Sequence, residues 1–444
     1  MNGLAAADYN NDGYPDLAAV LDIGAINQVL AFGNDVDAIF DWSFHQVDVG
    51  AETQHVRCVI ADDFDNDGDA DLATGRDMGS GNEVSAWRND LPHRNAPFSA
   101  QIVIANVAAP ARSVHAADLD GDGDVDVLSA SNGSPPIAWY ENDGEVPPSF
   151  LPHAVSGGAA PYSVYSADLD EDGDLDVLSA SWGDNEIEWY ENDGAVVPTF
   201  TSHIIASDAL GAHSVYAADL DGDGDVDVLS ASINDDKVAW YENDGVAEPS
   251  FAPHTISAIA YGAQSVYAAD LDGDGDVDVL STSYSPVLEE VDQVVWYEND
   301  GATNPTFTSH VISNADDCIL GVTVADMDGD GDLDVLSTHA SSDRVVWHEN
   351  SGTASPTFTS HIITNALNRP YSVHAVDLDQ DGDLDVLSGS HSPGSDMMVW
   401  CENDGAVDPR SEKPTYIYSW LPRAYQIVLV DGSLESPSSP TTFT

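Results

Sequence analysis

Nine residues, Asp118-Leu119-Asp120-Gly121-Asp122-Gly123-Asp124-Val125-Asp126, place five carboxylates at alternate positions of one short loop. Positions 1, 3 and 5 put three carboxylates on one concave side. Gly123 at position 6 permits a sharp turn, position 7 offers a backbone carbonyl, and position 9 supplies a further carboxylate. A donor set made only of oxygen suits Ca²⁺, a hard cation that takes about six to eight oxygen ligands. Without a cation, so many carboxylates in one turn repel one another. A merely solvated acidic turn is the plainer alternative, but the loop is not met once.

The same spacing gives Asp168, Asp170, Asp172, Asp174 and Asp176; Asp219, Asp221, Asp223, Asp225 and Asp227; and Asp270, Asp272, Asp274, Asp276 and Asp278. It returns as Asp326, Asp328, Asp330, Asp332 and Asp334, and as Asp377, Asp379, Asp381, Asp383 and Asp385. An earlier copy reads Asp63, Asp65, Asp67, Asp69 and Asp71, and a degenerate first copy Asp8, Asn10, Asp12 and Asp16. That first copy is the weakest, with Tyr14-Pro15 at positions 7 and 8. The expected cofactor is therefore Ca²⁺, one ion per copy. Position 12, where a helix-flanked calcium loop carries a bidentate Glu, is Ser129 in the third copy. This argues against a calmodulin-like switch.

The first aspartates of the eight copies are 55, 55, 50, 51, 51, 56 and 51 residues apart. A period of about 40–50 residues marks a propeller or another repeat array. In the repeat 214–257, residues 214–218 alternate and are β-prone, the acidic loop follows, and 228–232 form a second strand. Asn234-Asp235-Asp236 turns into a third strand, 237–241. Glu242-Asn243-Asp244-Gly245 is a hairpin signal, and a fourth strand runs from Phe251 to Ile256. Four short strands joined by tight turns make one propeller blade. The expected fold is all-β: a β-propeller of four-stranded antiparallel blades, eight in number, with a seven-bladed ring as the alternative. It spans 1–421, leaving 422–444 as a C-terminal extension or linker.

Trp87, Trp139, Trp189, Trp240, Trp296, Trp347 and Trp400 mark the third strand, and His203, His254, His310 and His361 the fourth. Recurring once per repeat, they read as packing residues between neighbouring sheets. In the last repeat 415–421 is the expected fourth strand, with Tyr416 matched to Phe307.

Composition narrows the partners. The chain has 444 residues, 42% of them hydrophobic, so a core can form; 11 basic residues face 79 acidic ones, for a formal charge of −68. About half of the acids lie in the loops. Lys237 and Lys413 are the only lysines, so the basic patch that a phosphate backbone requires is missing and no nucleic-acid partner is expected. No apolar run reaches membrane-spanning length, so no membrane insertion is expected. Cys58, Cys318 and Cys401 match no metal-ligand spacing and form no disulfide framework; they read as core or strand residues. Met1 is followed almost at once by the first repeat, without a secretory leader, which suits a mature or trimmed product, or a truncated gene.

The loop followed by a strand such as Val228-Leu229-Ser230-Ala231-Ser232 resembles the FG-GAP/VCBS repeat family, which includes the β-propeller of integrin α subunits. The resemblance covers residues 1–421 and implies a secreted or cell-surface protein, often one that serves adhesion or carbohydrate binding. Two departures stand out. Eight repeats are counted where seven blades are usual, and of the F-G…G-A-P signature only Phe32-Gly33 is present.

In such blades the acidic loops and the Asn-Asp-Gly turns share one face, nearly constant from repeat to repeat. The other face varies: Arg112, Tyr162, His213 and Tyr371 lie in its fourth-to-first connections, and Trp182, Tyr284 and His391 in its second-to-third turns. Binding residues commonly sit on loops over a rigid scaffold, so these seven are the candidate ligand residues, against plain drift of unconstrained loops. A second candidate region is the channel, lined at equivalent positions by Ala5, Ile60, His115, Tyr165, Tyr216, Tyr267, Thr323 and His374.

The reading favoured by sequence is a non-enzymatic, calcium-stabilised module that binds a glycan or a surface protein. A polysaccharide lyase is the runner-up; it needs a base and basic groups for an acidic sugar, and the longest irregular loops, 76–83 and 283–293, are short. A third reading is a subunit of a surface layer or filament, self-assembling through the C-terminal extension.

Overall fold

The computed structural model describes residues 111–376 except 145–148, 157, 285–291, 316–317, 366 and 368, and outside that span chiefly the strands. Its strands pair, in sequence order, into eight four-stranded antiparallel sheets, and no helix occurs among the described residues. The fifth sheet, in the middle of the best-repeating region, consists of Ala212–Ala218, Asp227–Ser232, Lys237–Asn243 and Phe251–Ser257. The first strand of each sheet packs beside the first strand of the next, and Pro370–Val376 of the last sheet beside Leu4–Ala7 of the first. The sheets thus close around a common axis that their first strands line, which is a β-propeller.

The second and third strands hold the core, and their repetition explains the uniformity of the sheets. Val228, Leu229, Ala231, Val238, Trp240 and Tyr241 are fully buried, and apolar clusters run from each sheet to the next. Trp139, Trp189, Trp240 and Trp296 each do two things. Trp240 stacks on His254 of its own sheet with centroids 4.5 Å apart, and meets Phe307 of the next sheet edge-on at 6.4 Å. The sheet-to-sheet partner of the Trp is therefore the Phe, while the His lies over it within one sheet and bonds outward to Glu242 at 2.8 Å. Inside the core, Ser230 and the Tyr241 hydroxyl satisfy one another at 3.2 Å, as buried hydroxyls must.

Two further expectations need correction. Thr415, not Tyr416, pairs with Trp400, as His310 pairs with Trp296, so Tyr416 corresponds to Val311 and not to Phe307. The Pro-containing segment before that strand hid the register. Cys318 is neither a core nor a strand residue. It is half-buried and precedes Ile319–Ala325 with φ of 51°, where the sixth sheet has Gly262 at 61°.

Candidate metal centres and an aromatic channel rim

The acidic loops join first and second strands, and their geometry repeats closely. In the fifth sheet, Gly224 N donates to Asp219 Oδ2 at 3.1 Å, Asp223 N to Asp221 Oδ1 at 3.2 Å and Asp225 N to Asp223 Oδ1 at 3.0 Å. These bonds curl the backbone around the carboxylates of positions 1, 3 and 5. Gly224 holds φ of 102°, a left-handed conformation open to glycine at little cost.

Position 9 works differently from the others. Asp227 is buried, and both its oxygens accept backbone amides, Leu220 N at 2.9 Å and Asn243 N at 2.8 Å. It ties the loop to the Asn-Asp-Gly turn, yet it stays near the carboxylates of positions 1 and 3. One oxygen each of Asp219, Asp221 and Asp227 lie within 4.8 Å of one another, and the same holds for Asp168, Asp170 and Asp176 and for Asp270, Asp272 and Asp278. In the third sheet the close trio is Asp118, Asp120 and Asp122.

Crowding leaves an electrostatic mark. Burial first, then repulsion by Asp223, pushes Asp221 up to about 6. Asp120 and Asp272 reach about 6 for the same reasons. Burial raises Asp227 and Asp176 to about 7 and Asp126 to about 8, against the opposing pull of their amide donors. Asp118 Oδ1, Asp168 Oδ1 and Asp326 Oδ1 are buried with no hydrogen-bond partner. Buried acceptors without a donor are costly, and a divalent cation is the partner that such oxygens fit. Positions 1, 3, 5 and 9 would hold it, with the backbone of position 7.

Of the other expected ligands, Asp8, Asn10 and Asp12, Asp63 to Asp69 and Asp377 to Asp383 lie outside the described residues. Asp16, Asp71 and Asp385 begin second strands, as position 9 does elsewhere, and Asp385 Oδ1 accepts Asn403 N at 2.7 Å.

The Asn of each Asn-Asp-Gly turn has a role that sequence reading missed. Asn192 Nδ2 donates to Leu175 O of its own loop at 3.0 Å and to Leu119 O of the preceding sheet's loop at 2.8 Å. Asn142, Asn243, Asn299 and Asn403, and Asn350 of an Asn-Ser-Gly turn, repeat this pair of bonds. These six staples link the acidic loops of the second to the eighth sheets in series.

On the opposite face, strand register decides which side chains point where. Arg112, Tyr162 and His213 are each the extra residue of a β-bulge near the start of a first strand; Pro161 and Ser163, for example, pair with Ser181 and Ala180 and skip Tyr162. A bulge re-aims the side chain of the extra residue. Here it gathers three of them at the channel mouth with Trp182 from the fourth sheet's second-to-third turn. Tyr162 lies 5.4 Å from Trp182 and 5.0 Å from His213, and Arg112 Cζ sits 4.6 Å over the Tyr162 ring. His213 Nδ1 is 2.8 Å from Gln264 O, and burial lowers its pKa. Arg112 Nε is buried without a partner.

Tyr284 follows the sixth sheet's second strand, and no ring contact joins it to these four among the described residues. Tyr371 is the bulge residue of the eighth sheet, but its side chain, like His391, lies outside the described residues. Deeper in the channel His115, Tyr165, Tyr216 and Tyr267 form a continuous ladder with centroids 4.9, 5.0 and 5.2 Å apart.

Comparison with known proteins agrees with this architecture. A family model described as an FG-GAP-like repeat matches six segments: 63–129, 118–179, 168–230, 220–281, 287–337 and 326–388. Together they contain the seven acidic loops from Asp63 to Asp385. Among solved structures, the Dos1 propeller is similar with a TM-score of 0.54 at 10% identity, covering 87% of this chain and 88% of that one. The biofilm matrix protein Bap1 of V. cholerae is similar with a TM-score of 0.52 at 12% identity, covering 94% and 90%. No curated protein matches the sequence.

Proposed function

We propose that this chain, which belongs to the FG-GAP-like repeat family, is a calcium-stabilised, non-enzymatic propeller that binds a glycan or a surface protein outside the cell. The observation that carries the reading is the rim formed by Arg112, Tyr162, Trp182 and His213. Four residues from three successive sheets, three of them bulged, converge at one mouth of the channel. Clustered aromatic rings with a polar tip suit the apolar face of a sugar or a protein anchor. An Arg on a ring is desolvated and oriented.

Calcium supports this rim from the opposite face. Filled loops fix the first strands that carry Arg112, Tyr162 and His213, and so fix the rim. Weak calcium sites fill at the roughly 10⁻⁴–10⁻³ M typical of extracellular modules, which is the range this reading assigns to the loops. No helix among the described residues is long and apolar enough to cross a membrane.

A glycan array in millimolar calcium, repeated with Trp182→Ala and with chelator, tests the reading. Binding that both treatments abolish is expected. Binding that survives Trp182→Ala, or depolymerisation of an offered polysaccharide, would overturn it in favour of another face or of a lyase.

A further inference from the structure

The fourth sheet differs from its neighbours at one corner of the rim face, between its second-to-third turn and the segment entering its first strand. Three carboxylates meet there: one oxygen each of Asp184, Glu186 and Glu188 lie within 4.8 Å of one another. Glu188 is buried, at 7% exposure, on the third strand Glu186–Asn192. The residues at its position in the third, fifth, sixth and seventh sheets are Ala138, Ala239, Val295 and Val346, each one place before the Trp. A core position has thus gained a carboxylate.

The surrounding residues have changed to match. Gly158 stands where the fifth and sixth sheets bury Ala209 and Ala260. A Cβ on Gly158 would lie 2.6 Å from Ser181 Oγ, 2.7 Å from Glu188 Oε2 and 2.8 Å from Asp184 Oδ2. Three oxygens from three residues therefore converge on the space that the missing methyl leaves. In the fifth sheet the same corner is neutralised, because Lys237 takes the place of Glu186 and its Nζ lies 3.6 Å from Asp235. Ser232 Oγ there bonds Asp235. In the fourth sheet no such base exists, since residues 157–206 contain neither Lys nor Arg.

An independent observation points to a ligand. Ser181 is fully buried, and its Oγ, one of the three converging oxygens, has no hydrogen-bond partner. Asp184 Oδ1 is likewise buried and unpartnered, while Asp184 Oδ2 accepts Ala159 N at 2.6 Å and Glu188 Oε2 accepts the Tyr190 hydroxyl at 2.8 Å. A buried carboxylate with no positive partner, crowded by two half-buried ones, and an idle buried hydroxyl are expensive separately and worse together. A cation would satisfy all of them.

We propose that Ser181, Asp184, Glu186 and Glu188 form a binding site for a hard divalent cation, Ca²⁺ by the all-oxygen donor set. It lies at the far end of the second strand Asp176–Ser181 from the acidic loop, about 17 Å away at some 3.3 Å per residue. The site is therefore separate from the repeated loops and does not depend on them. Trp182 follows Ser181 directly, so an ion here fixes the turn that carries one ring of the aromatic rim.

The test uses the full chain and calcium chloride alone. Gly158→Ala with Glu188→Ala restores residue types that neighbouring sheets carry at both positions, so folding is preserved. Native mass spectrometry of the calcium-loaded protein is expected to show one ion fewer per chain in this double variant. Crystals of the parent soaked in calcium should give an anomalous peak among the four residues. Equal stoichiometry, or filled acidic loops beside an empty corner, would overturn the proposal. A filled corner beside empty loops would uphold it and overturn the calcium reading of the loops instead.

Discussion

Asn243 Nδ2 lies 2.7 Å from the carbonyl oxygen of Leu169, 74 residues earlier in the acidic loop of the preceding sheet. The same amide nitrogen reaches Val226 O of its own loop at 3.0 Å, and the side-chain oxygen accepts Gly245 N at 3.1 Å. One buried side chain thus links two candidate cation loops and closes its own hairpin. Asn243→Ala removes the side-chain partner of two carbonyls and one amide, and the loss at the buried Leu169 carbonyl alone costs about 1–3 kcal/mol. Urea unfolding in saturating calcium should show a clearly lower midpoint, and Asn243→Asp, which keeps the size and the acceptor but loses the donors, should not restore it. Unchanged midpoints in both variants would mean that the staple carries no energy.

Cation removal and pH act on the same loops. Asp221 and Asp227 titrate near 6 and 7 in the folded chain, against about 3.9 in an unfolded one. Folding therefore favours their protonated forms. Without a cation, stability is fully present below about pH 4 and is lost as pH rises towards 7, the reverse of a salt-bridged carboxylate. In chelator the melting midpoint should be higher at pH 5 than at pH 8. Calcium should raise it most at pH 8 and remove that slope. A midpoint that does not respond to calcium at pH 8 would exclude these loops as structural metal sites.

What sequence could show divides along one line. The loop, the strands around it and the Trp positions recur at a fixed period, so Asp219, Val228 and Trp240 each announce themselves several times over. Relations between repeats do not. Asn243 reads as a turn former because its bond to Leu169 exists only once two sheets stand side by side. The rim was half legible: variation among repeats singled out Arg112, Tyr162, Trp182 and His213, but their convergence depends on bulges at Tyr162 and His213 that no local signal marks. Glu188 was visible in principle. Set against Ala138 and Ala239 it is a charge at a core position, a signal that needs the repeats aligned on their Trp residues.

The rim should behave as a surface that binds without stabilising the fold. Tyr162→Ala and Trp182→Ala each remove a half-exposed ring from a bulge or turn. Affinity for a captured ligand should fall at least tenfold, about 1.4 kcal/mol, while the melting midpoint moves little. Surface plasmon resonance and calorimetry on the same samples separate the two. A loss of binding that only follows a loss of stability would make the rings structural.

The seventh sheet departs from the buried Ser–Tyr pair and acquires acid sensitivity by doing so. Where the fifth sheet has Ser230 against Tyr241, the seventh has Ser337 against His348 at 2.7 Å, with His339 also 2.9 Å from the Ser337 hydroxyl. Burial first, then repulsion from His339 and His361, lowers His348 to about 3, whereas an unfolded His titrates near 6.5. Its contribution is complete above about pH 6.5 and is lost as pH falls, because only the unfolded chain takes up the proton. At pH 5 that amounts to about 2 kcal/mol. His348→Tyr with His339→Ser recreates the fifth sheet's arrangement and should raise the midpoint at pH 5 by more than at pH 8. An equal rise at both values would assign the gain to packing and leave His348 without a role in acid lability.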